Sequence, residues 1–417
     1  MKRVILKRGN QRGAVLAMLA GGIIILFLLA GVAVDIGTAY VRTMSLSKAV
    51  DAGALAGAKY TMKGEAEMRT IIDKVAAANF GPDPDSDYGA TYDVTIWSPA
   101  TDTTRVRVHG TTASPAMFSR VVGQDDIPIS VLAEATRYPL DMSLSLDLSA
   151  SLDRNGAFDD MQLSAKNFLD YFDDNIDQFG IVTYSTWAAQ QMPVQKNFKA
   201  TGKAIIDGLN FISDTNIEEG LRLSKSQLDV AFPRQEALKI VVLFTDGRAT
   251  AFAENLEMPT GHNPAWYDGV WATYISGTSY RGTFRKTDGM KIKLWASGVP
   301  ELYANSSTVS SQRPKNLPGG LAVNGTNIRL VAAAQTEAQA NTIRAEGYTI
   351  FVVALGNPDA TDPGDVPDLD LLSRVANEDG IVSSSQPRGE MLFAPSPEEL
   401  DQTFALLADR IITRLTR

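Results

Sequence analysis

The sharpest change of hydropathy in this chain comes near its start. Residues 14–34 carry no charge and include the run Gly22-Ile-Ile-Ile-Leu-Phe-Leu-Leu-Ala30. About 20 apolar residues at a rise of about 1.5 Å each cross a hydrocarbon layer of about 30 Å, so this pattern predicts a transmembrane helix. The chain then runs without Pro from Ala39 to Ala58, with Val41, Met44, Leu46, Val50 and Leu55 on an Ala-rich face. That face predicts that one helix leaves the membrane and packs on the next part of the chain. A second short helix is expected over 65–79, ending before Gly81-Pro82. Strict alternation predicts strands over 92–97, 104–109 and 127–136, giving a small α+β unit.

Past Pro139 the texture changes. Apolar runs over Met142–Asp147, Gly180–Tyr184, Lys239–Thr245 and Thr349–Leu355 alternate with helical patterns near 157–175, 216–228, 330–346, 368–377 and 397–415. Such alternation implies an α/β domain, a doubly wound, mostly parallel sheet with helices on both faces. Between about 251 and 327 the rhythm fails, and a structureless span of that length inside a domain is usually functional or disordered. The expected division is a basic tail over 1–13, the span over 14–34, the helix with its α+β unit over 35–138, and the α/β domain over 139–417.

Composition narrows the chemistry. The 417 residues are 44% hydrophobic and 21% charged, as in ordinary globular proteins. A net charge of −9 argues against nucleic acid as a partner, because phosphate backbones are met by clustered Lys and Arg. There is no Cys, so thiol catalysis, disulfides and Cys-bound zinc are excluded. His109 and His262 are the only histidines and form no metal-binding pair, and no enzyme is expected. His109 ends an alternating strand and reads as a surface residue.

Lys2, Arg3, Lys7, Arg8 and Arg12 precede the apolar span without an acidic residue, and Asp35 comes directly after it. The positive-inside rule keeps the N-terminus cytoplasmic and exports the rest, which predicts a single-pass protein of the inner membrane. A cleaved signal peptide ending near Gly31 and Ala33 is the competing reading. The apolar run exceeds the 7 to 15 residues of a usual signal core.

Gln11-Arg-Gly-Ala-Val15, the apolar span, Ala33-Val-Asp-Ile-Gly-Thr-Ala-Tyr-Val-Arg42 and Ala49-Val-Asp-Ala-Gly-Ala-Leu-Ala-Gly-Ala58 together resemble the N-terminal segment of the TadE/TadG-like proteins of Flp (Tad) pilus assembly. In pilin-like relatives a Gly at the membrane entry marks a processing site, with a Glu five residues on. Here Gly13 is followed by Ala14 to Met18 and that Glu is absent, a departure that fits the membrane-retained branch. The resemblance implies a pilin-like α+β unit and other pilus-assembly components as partners.

Three further motifs point to a cation. Asp147-Leu-Ser-Ala-Ser151 ends the first strand of the α/β region, and ligands in open α/β sheets bind outside the carboxyl ends of strands. Asp147, Ser149 and Ser151 alternate and can aim three oxygens at one point, the donor type a hard cation takes. Alone, Asp and Ser at such a place also cap helices. Thr215 comes next in Asp214-Thr-Asn-Ile-Glu-Glu-Gly-Leu221, where helix capping is again the simpler role. Asp246 ends the apolar strand of Lys239-Ile-Val-Val-Leu-Phe-Thr-Asp-Gly-Arg248, with Gly247 for the turn. All three pieces stand in an order that would bring them to one sheet edge.

In this region the chain resembles the von Willebrand factor type A fold, whose metal-ion-dependent adhesion site the residues Asp147, Ser149, Ser151, Thr215 and Asp246 match one by one. The resemblance implies a divalent cation, Mg²⁺ first, with Mn²⁺ or Ca²⁺ also accepting oxygen donors. It also implies a protein partner that offers an acidic group to the cation. A second threonine pattern, Gly325-Thr-Asn-Ile328, comes after the Asp246 strand and so in the wrong order. The insertion carries Trp266, Tyr267, Trp271, Tyr274, Tyr280 and Trp295, which could form a partner surface or simply pack the insertion onto the domain. The whole reads as a membrane-anchored, metal-dependent binding component of Flp pilus assembly or secretion. A periplasmic or surface adhesin with the same site and no link to pili is the alternative.

Overall fold

The computed structural model describes residues 11–81, 88–99, 102–123, 125–154, 156–212, 214–231, 234, 236–257, 266–273, 280–285, 292–293, 301–302, 321, 324–356 and 366–416. They fall into two compact units, one ending at Arg137 and including Thr416, the other Tyr138–Leu415. The basic tail before Gln11, His262, Tyr274 and Trp295 lie outside the described residues.

The first unit is built on α1 (Gln11–Lys59), with α2 (Glu65–Phe80) and the strands β1 (Thr91–Trp97), β2 (Thr104–Ser114) and β3 (Ile127–Arg137). The strands form an antiparallel sheet in the order β1-β2-β3. Helix α1 has two chemically different parts. Over residues 15–34 large apolar side chains stand exposed, Phe27 at 74% and Leu26 at 67%, and the helix is long and apolar enough to cross a membrane. From Leu46 to Ala58 the helix is instead packed: Leu46, Val50, Ala54 and Ala58 join Met68 and Ile72 of α2 and Val106, Val108, Ile129 and Ala135 of the sheet in one core. Small residues let these surfaces meet. A β-carbon at Gly57 would stand 2.7 Å from Ile72 and 2.8 Å from Val106, and one at Gly110 would stand 2.6 Å from Val50. His109 lies in β2 and pairs across to β3 through Nε2 and the Ser130 hydroxyl at 2.7 Å.

The second unit runs β4 (Leu140–Asp147), α3 (Ala150–Arg154), α4 (Phe158–Asp170), β5 (Gln178–Tyr184), β6 (Ala188–Gln195), α5 (Phe198–Asp207), α6 (Ile217–Val230) and β7 (Leu238–Thr245). The insertion comes next with β8 (Ala251–Glu257), β9 (Trp266–Thr273), β10 (Tyr280–Arg285), β11 (Ile292–Lys293) and β12 (Glu301–Leu302). The domain resumes with α7 (Gly325–Ala345), β13 (Thr349–Leu355), α8 (Leu369–Ala376), β14 (Met391–Ala394) and α9 (Leu400–Leu415).

Its main sheet has the order β14-β13-β7-β4-β5-β6, parallel throughout except for the antiparallel edge strand β6. The buried residues of each strand serve both faces. Met142, Leu144 and Leu146 point with Phe168, Leu169, Ile206 and Phe404 into the layer made by α4, α5 and α9. Val241, Leu243, Val352 and Ala354 face Leu221, Ile328, Ile343 and Leu372 of α6, α7 and α8. This is the α/β fold with helices on both faces that the alternation of patterns implies.

Several elements depart from the expected pattern. Strand β6, helix α5 and strand β14 were not expected. The arrhythmic insertion contains an antiparallel sheet in the order β10-β9-β8. Helix α7 begins at Gly325, with the Asn324 side chain accepting from the Asn327 N–H at 2.9 Å, so Thr326 sits in its first turn. Trp271 is completely buried against the layer of α7 and donates through Nε1 to Glu254 at 2.9 Å. For this residue packing holds, and a place on a partner-facing surface does not.

Candidate metal centre

Strand β4 is buried along its whole length between β5 and β7, so its carboxyl end must deliver the next residues to the middle of the sheet edge. It delivers Asp147. The register pairs Leu146 with Phe244, which sets Thr245 and Asp246 of the β7 end beside Asp147. Ser149 lies in the turn after β4, and Ser151 in the short helix α3. Asp147, Ser149, Ser151, Thr215 and Asp246 are all nearly or wholly buried.

The two seryl hydroxyls tie the motifs together. Ser149 Oγ donates to Asp246 Oδ1 at 3.1 Å and Ser151 Oγ donates to the same oxygen at 2.7 Å, while the two hydroxyl oxygens stand 2.9 Å apart. A β-carbon on Gly247 would lie 3.6 Å from Thr215 Oγ1 and 3.9 Å from Ser151 Oγ, so the third hydroxyl converges on the same turn. All five residues that the spacing singles out are thus brought to one place.

Thr215 has no part in capping α6. The cap is Asn216, whose side chain accepts from the Glu219 N–H at 3.3 Å. Thr215 is instead gripped through its backbone, its N–H donating to Thr250 Oγ1 at 2.9 Å and its carbonyl accepting from the N–H groups of Thr250 at 2.9 Å and Ala251 at 3.2 Å. The neighbouring Asp214 accepts from Thr186 Oγ1 at 2.8 Å and forms an ion pair with Arg281 of the insertion.

The two carboxylates of the site are satisfied unequally. Asp147 Oδ1 accepts from the Ser149 N–H at 2.8 Å, and Oδ2 accepts from Thr245 Oγ1 at 2.7 Å. Asp246 takes both hydroxyls on Oδ1, and its buried Oδ2 receives no hydrogen bond. Burial, and then the charge of Asp246, push Asp147 up to about 8. Burial likewise raises Asp246, to about 6, against the Ser151 and Ser149 hydrogen bonds and the Arg154 charge. Tyr184, completely buried nearby, is also pushed up, first by burial and then by Asp147. Its hydroxyl donates to the Phe244 carbonyl at 2.7 Å.

Two buried like charges and an unmatched carboxylate oxygen cost free energy unless something positive joins them. Among the described residues no Lys or Arg pairs with either acid, and no third Asp, Glu or His gathers with them. Two carboxylates and three hydroxyls are an all-oxygen set whose charge matches a divalent cation. Each seryl hydroxyl that gives its proton to Asp246 keeps oxygen lone pairs to offer elsewhere. The residues fit a hard divalent ion.

Residues missed by the motif reading are Thr245, Thr250, Asp214, Thr186 and Arg281. Thr245 had a signal: it follows the apolar run Ile240-Val-Val-Leu-Phe244 and immediately precedes Asp246, where a buried hydroxyl needs a partner. Arg281, 67 residues from Asp214, had none.

Two family models match the chain. Residues 142–248 match the von Willebrand factor type A domain, a stretch that includes all five residues above. Residues 13–59 match the Flp pilus-assembly TadE/G-like family. The chain joins a TadE/G-like segment to a von Willebrand factor type A domain. The chain is also similar to several solved structures. One is proximal thread matrix protein 1 from the mussel byssus with a zinc-occupied MIDAS motif, at 18% identity over 66% of this chain and 46% of that one, TM-score 0.36. Another is the PilB minor pilin from Streptococcus sanguinis, at 14% identity over 79% of each chain, TM-score 0.40. A third is the vWF domain of the type V pili tip protein Mfa5 from Porphyromonas gingivalis, at 16% identity over 67% of this chain and 97% of that one, TM-score 0.40. The chain spans about half the length of the mussel protein. No curated protein matches it.

Proposed function

We propose that this chain is a membrane-anchored, non-enzymatic binding component of Flp pilus assembly or secretion, which grips a protein partner through a divalent cation held at the edge of its von Willebrand factor type A domain. The observation that carries the reading is Asp246: both hydroxyls of the first motif converge on its Oδ1, while Oδ2 is buried without a donor. Ser149, Ser151 and Thr215 would offer hydroxyl oxygens to the ion, and Asp147 and Asp246 the compensating charge. The ion would supply a positive centre able to accept an acidic side chain from a partner. Mg²⁺ is the first candidate, since the donors are all hard oxygens.

The chain's own groups do the rest. Thr245 and the Ser149 N–H hold the Asp147 carboxylate in one orientation. The contacts of Thr250 and Ala251 fix the loop bearing Thr215, and Asp214 links that loop to Arg281 of the insertion. The all-oxygen character of the cluster, two carboxylates and three hydroxyls, supports binding as its chemistry.

The TadE/G-like segment supports a partner among other pilus components, and the apolar part of α1 fits a single-pass anchor in the inner membrane with the domain exported. The test is a deletion strain complemented with wild type or Asp246→Ala. Loss of pili in the deletion, restored by wild type only, is the expected result. Normal piliation in the deletion would leave an adhesin unrelated to pili. Piliation restored fully by Asp246→Ala would remove the metal from the account.

A further inference from the structure

Asp35 ends the apolar run of α1, and its buried carboxylate holds the connection between β2 and β3, 82 to 84 residues further on. The Met117 N–H donates to Oδ1 at 3.1 Å. The N–H groups of Phe118 and Ser119 donate to Oδ2 at 2.9 and 2.7 Å, and the Ser119 hydroxyl donates to the same oxygen. Three backbone donors and a hydroxyl on one carboxylate fix this turn rigidly to the helix.

The side chains the turn carries are apolar and face outward. Met117 is 71% exposed, Val121 78% and Phe118 48%. Phe118 also reaches back along the helix: a β-carbon on Gly31 would stand 2.5 Å from Phe118 Cβ. Gly31 lies four residues before Asp35, which at helical rise is about 6 Å further into the apolar run. An interfacial segment that buries its apolar face sinks roughly 5 to 10 Å into the boundary between headgroups and acyl chains. The depth of this turn along α1 therefore matches the depth at which such side chains reside, and water would otherwise surround a contiguous apolar patch.

We infer that Met117, Phe118 and Val121 insert into the lipid boundary of the leaflet from which α1 emerges, so that the first unit touches the membrane through this turn as well as through its helix. The partner is the lipid surface itself, because the patch is fixed against the same stretch of helix that lies in the bilayer. Arg120, whose side chain is 64% exposed, pairs with Asp126 at 3.1 Å and supplies the polar side of the turn. Two contacts would set the depth and rotation of α1, where a lone helix leaves both free. This inference rests on reading residues 14–34 as a membrane span.

The absence of Cys makes the test direct. Single Cys residues are introduced as Met117→Cys and Val121→Cys, with Phe27→Cys as a reference in the span and Thr95→Cys as one on the exposed sheet. Each full-length chain is labelled with an environment-sensitive fluorophore and reconstituted into phosphatidylcholine vesicles. Emission is quenched either by lipids bearing a nitroxide at a shallow or a deep position, or by iodide in the water. The expected result is that the labels at 117 and 121 are quenched several-fold more than that at 95 by shallow nitroxide lipid and are shielded from iodide, while the label at 27 responds to the deep nitroxide. If the label at 27 responds to deep nitroxide while those at 117 and 121 behave like that at 95, the inference fails and the span reading stands. If the label at 27 itself behaves like that at 95, both fail. Shielding of 117 and 121 from iodide without any quenching by nitroxide lipid would show that protein covers the patch, which also overturns it.

Discussion

Asp35 in the first unit and Asp246 in the second are both buried carboxylates, 1% and 0% exposed, and the chain surrounds them in opposite ways. Around Asp35 the protein brings three N–H groups and a hydroxyl, and the Ser119 hydroxyl above all holds the acid below its usual range. Around Asp246 it brings two hydroxyls to one oxygen and leaves the other without a donor; burial raises this acid, and burial together with the charge of Asp246 raises the second buried acid, Asp147. The first carboxylate is finished by the chain and serves the fold. The second is left incomplete, and a buried charge retained at a cost to the fold points to a ligand that completes it.

The widest separation between the two should appear in cation affinity. Asp246→Ala is expected to weaken Mg²⁺ or Mn²⁺ binding by about 100-fold or more, about 2.7 kcal/mol, whereas Asp35→Ala should leave it unchanged. Calorimetric titration of the full chain in detergent reads both. Equal losses in the two variants would show that the contrast lies in stability alone.

The next effect is on pH dependence, and its sign differs between the two sites. Asp147 and Asp246 hold protons in the folded state more tightly than in the unfolded one. Without cation, stability should therefore fall as pH rises from about 4, the unfolded value, to about 8, where Asp147 ionises, and then level off. Asp35 is lowered, so what it contributes is present above its unfolded value of 3.8 and is lost as pH falls through its folded one. Unfolding midpoints in chelator should expose the first trend, and hydrogen exchange at the Met117 to Ser119 amides the second. Cation affinity should rise with pH over the same window, because the ion competes with protons.

Smaller effects sharpen the picture of the incomplete site. Thr245→Val removes the hydroxyl that orients Asp147 and is expected to lower cation affinity by about tenfold, as for other groups that position ligands. Thr215→Ala should also weaken the cation while leaving the stability of α6 within about 0.5 kcal/mol, because Asn216 caps that helix. A larger loss of stability in Thr215→Ala would return Thr215 to a structural role.

The convergence of the five candidate residues was legible because Asp147 and Asp246 stand at the carboxyl ends of β4 and β7, Ser149 and Ser151 follow β4 directly, and Thr215 stands just before α6. An apolar strand ending in Asp, or a Ser two residues beyond it, is visible in a sequence, and the order of the motifs restricts which sheet edge they share. Their supports were less visible. Asp35 and Ser119 are 84 residues apart, and nothing local at either end announces the other. Strand β6, Ala-Ala-Gln-Gln-Met-Pro-Val-Gln, carries Pro193 and lies half-exposed at the sheet edge, so it lacks the apolar run that marks its buried neighbours. Helix α5 starts after Asn197, which is in a left-handed conformation without a side-chain cap, and this removes the usual signal for a helix start. In the insertion, Trp271 shows the limit of reading aromatics by type: the same residue suits a partner surface and a core, and only burial separates the two.

The most direct test replaces Asp246 by Asn, which keeps the shape of the side chain and removes its charge. Unfolding of the full chain is monitored with excess Mg²⁺ and with chelator, for wild type and Asp246→Asn. If the site is built to be completed by a cation, wild type gains stability from Mg²⁺ and the variant does not. In chelator near neutral pH the variant should be the more stable of the two, by on the order of 1 to 3 kcal/mol, since it no longer buries the ionised Asp246 carboxylate. A variant that is destabilised in chelator and still responds to Mg²⁺ like wild type would contradict the account.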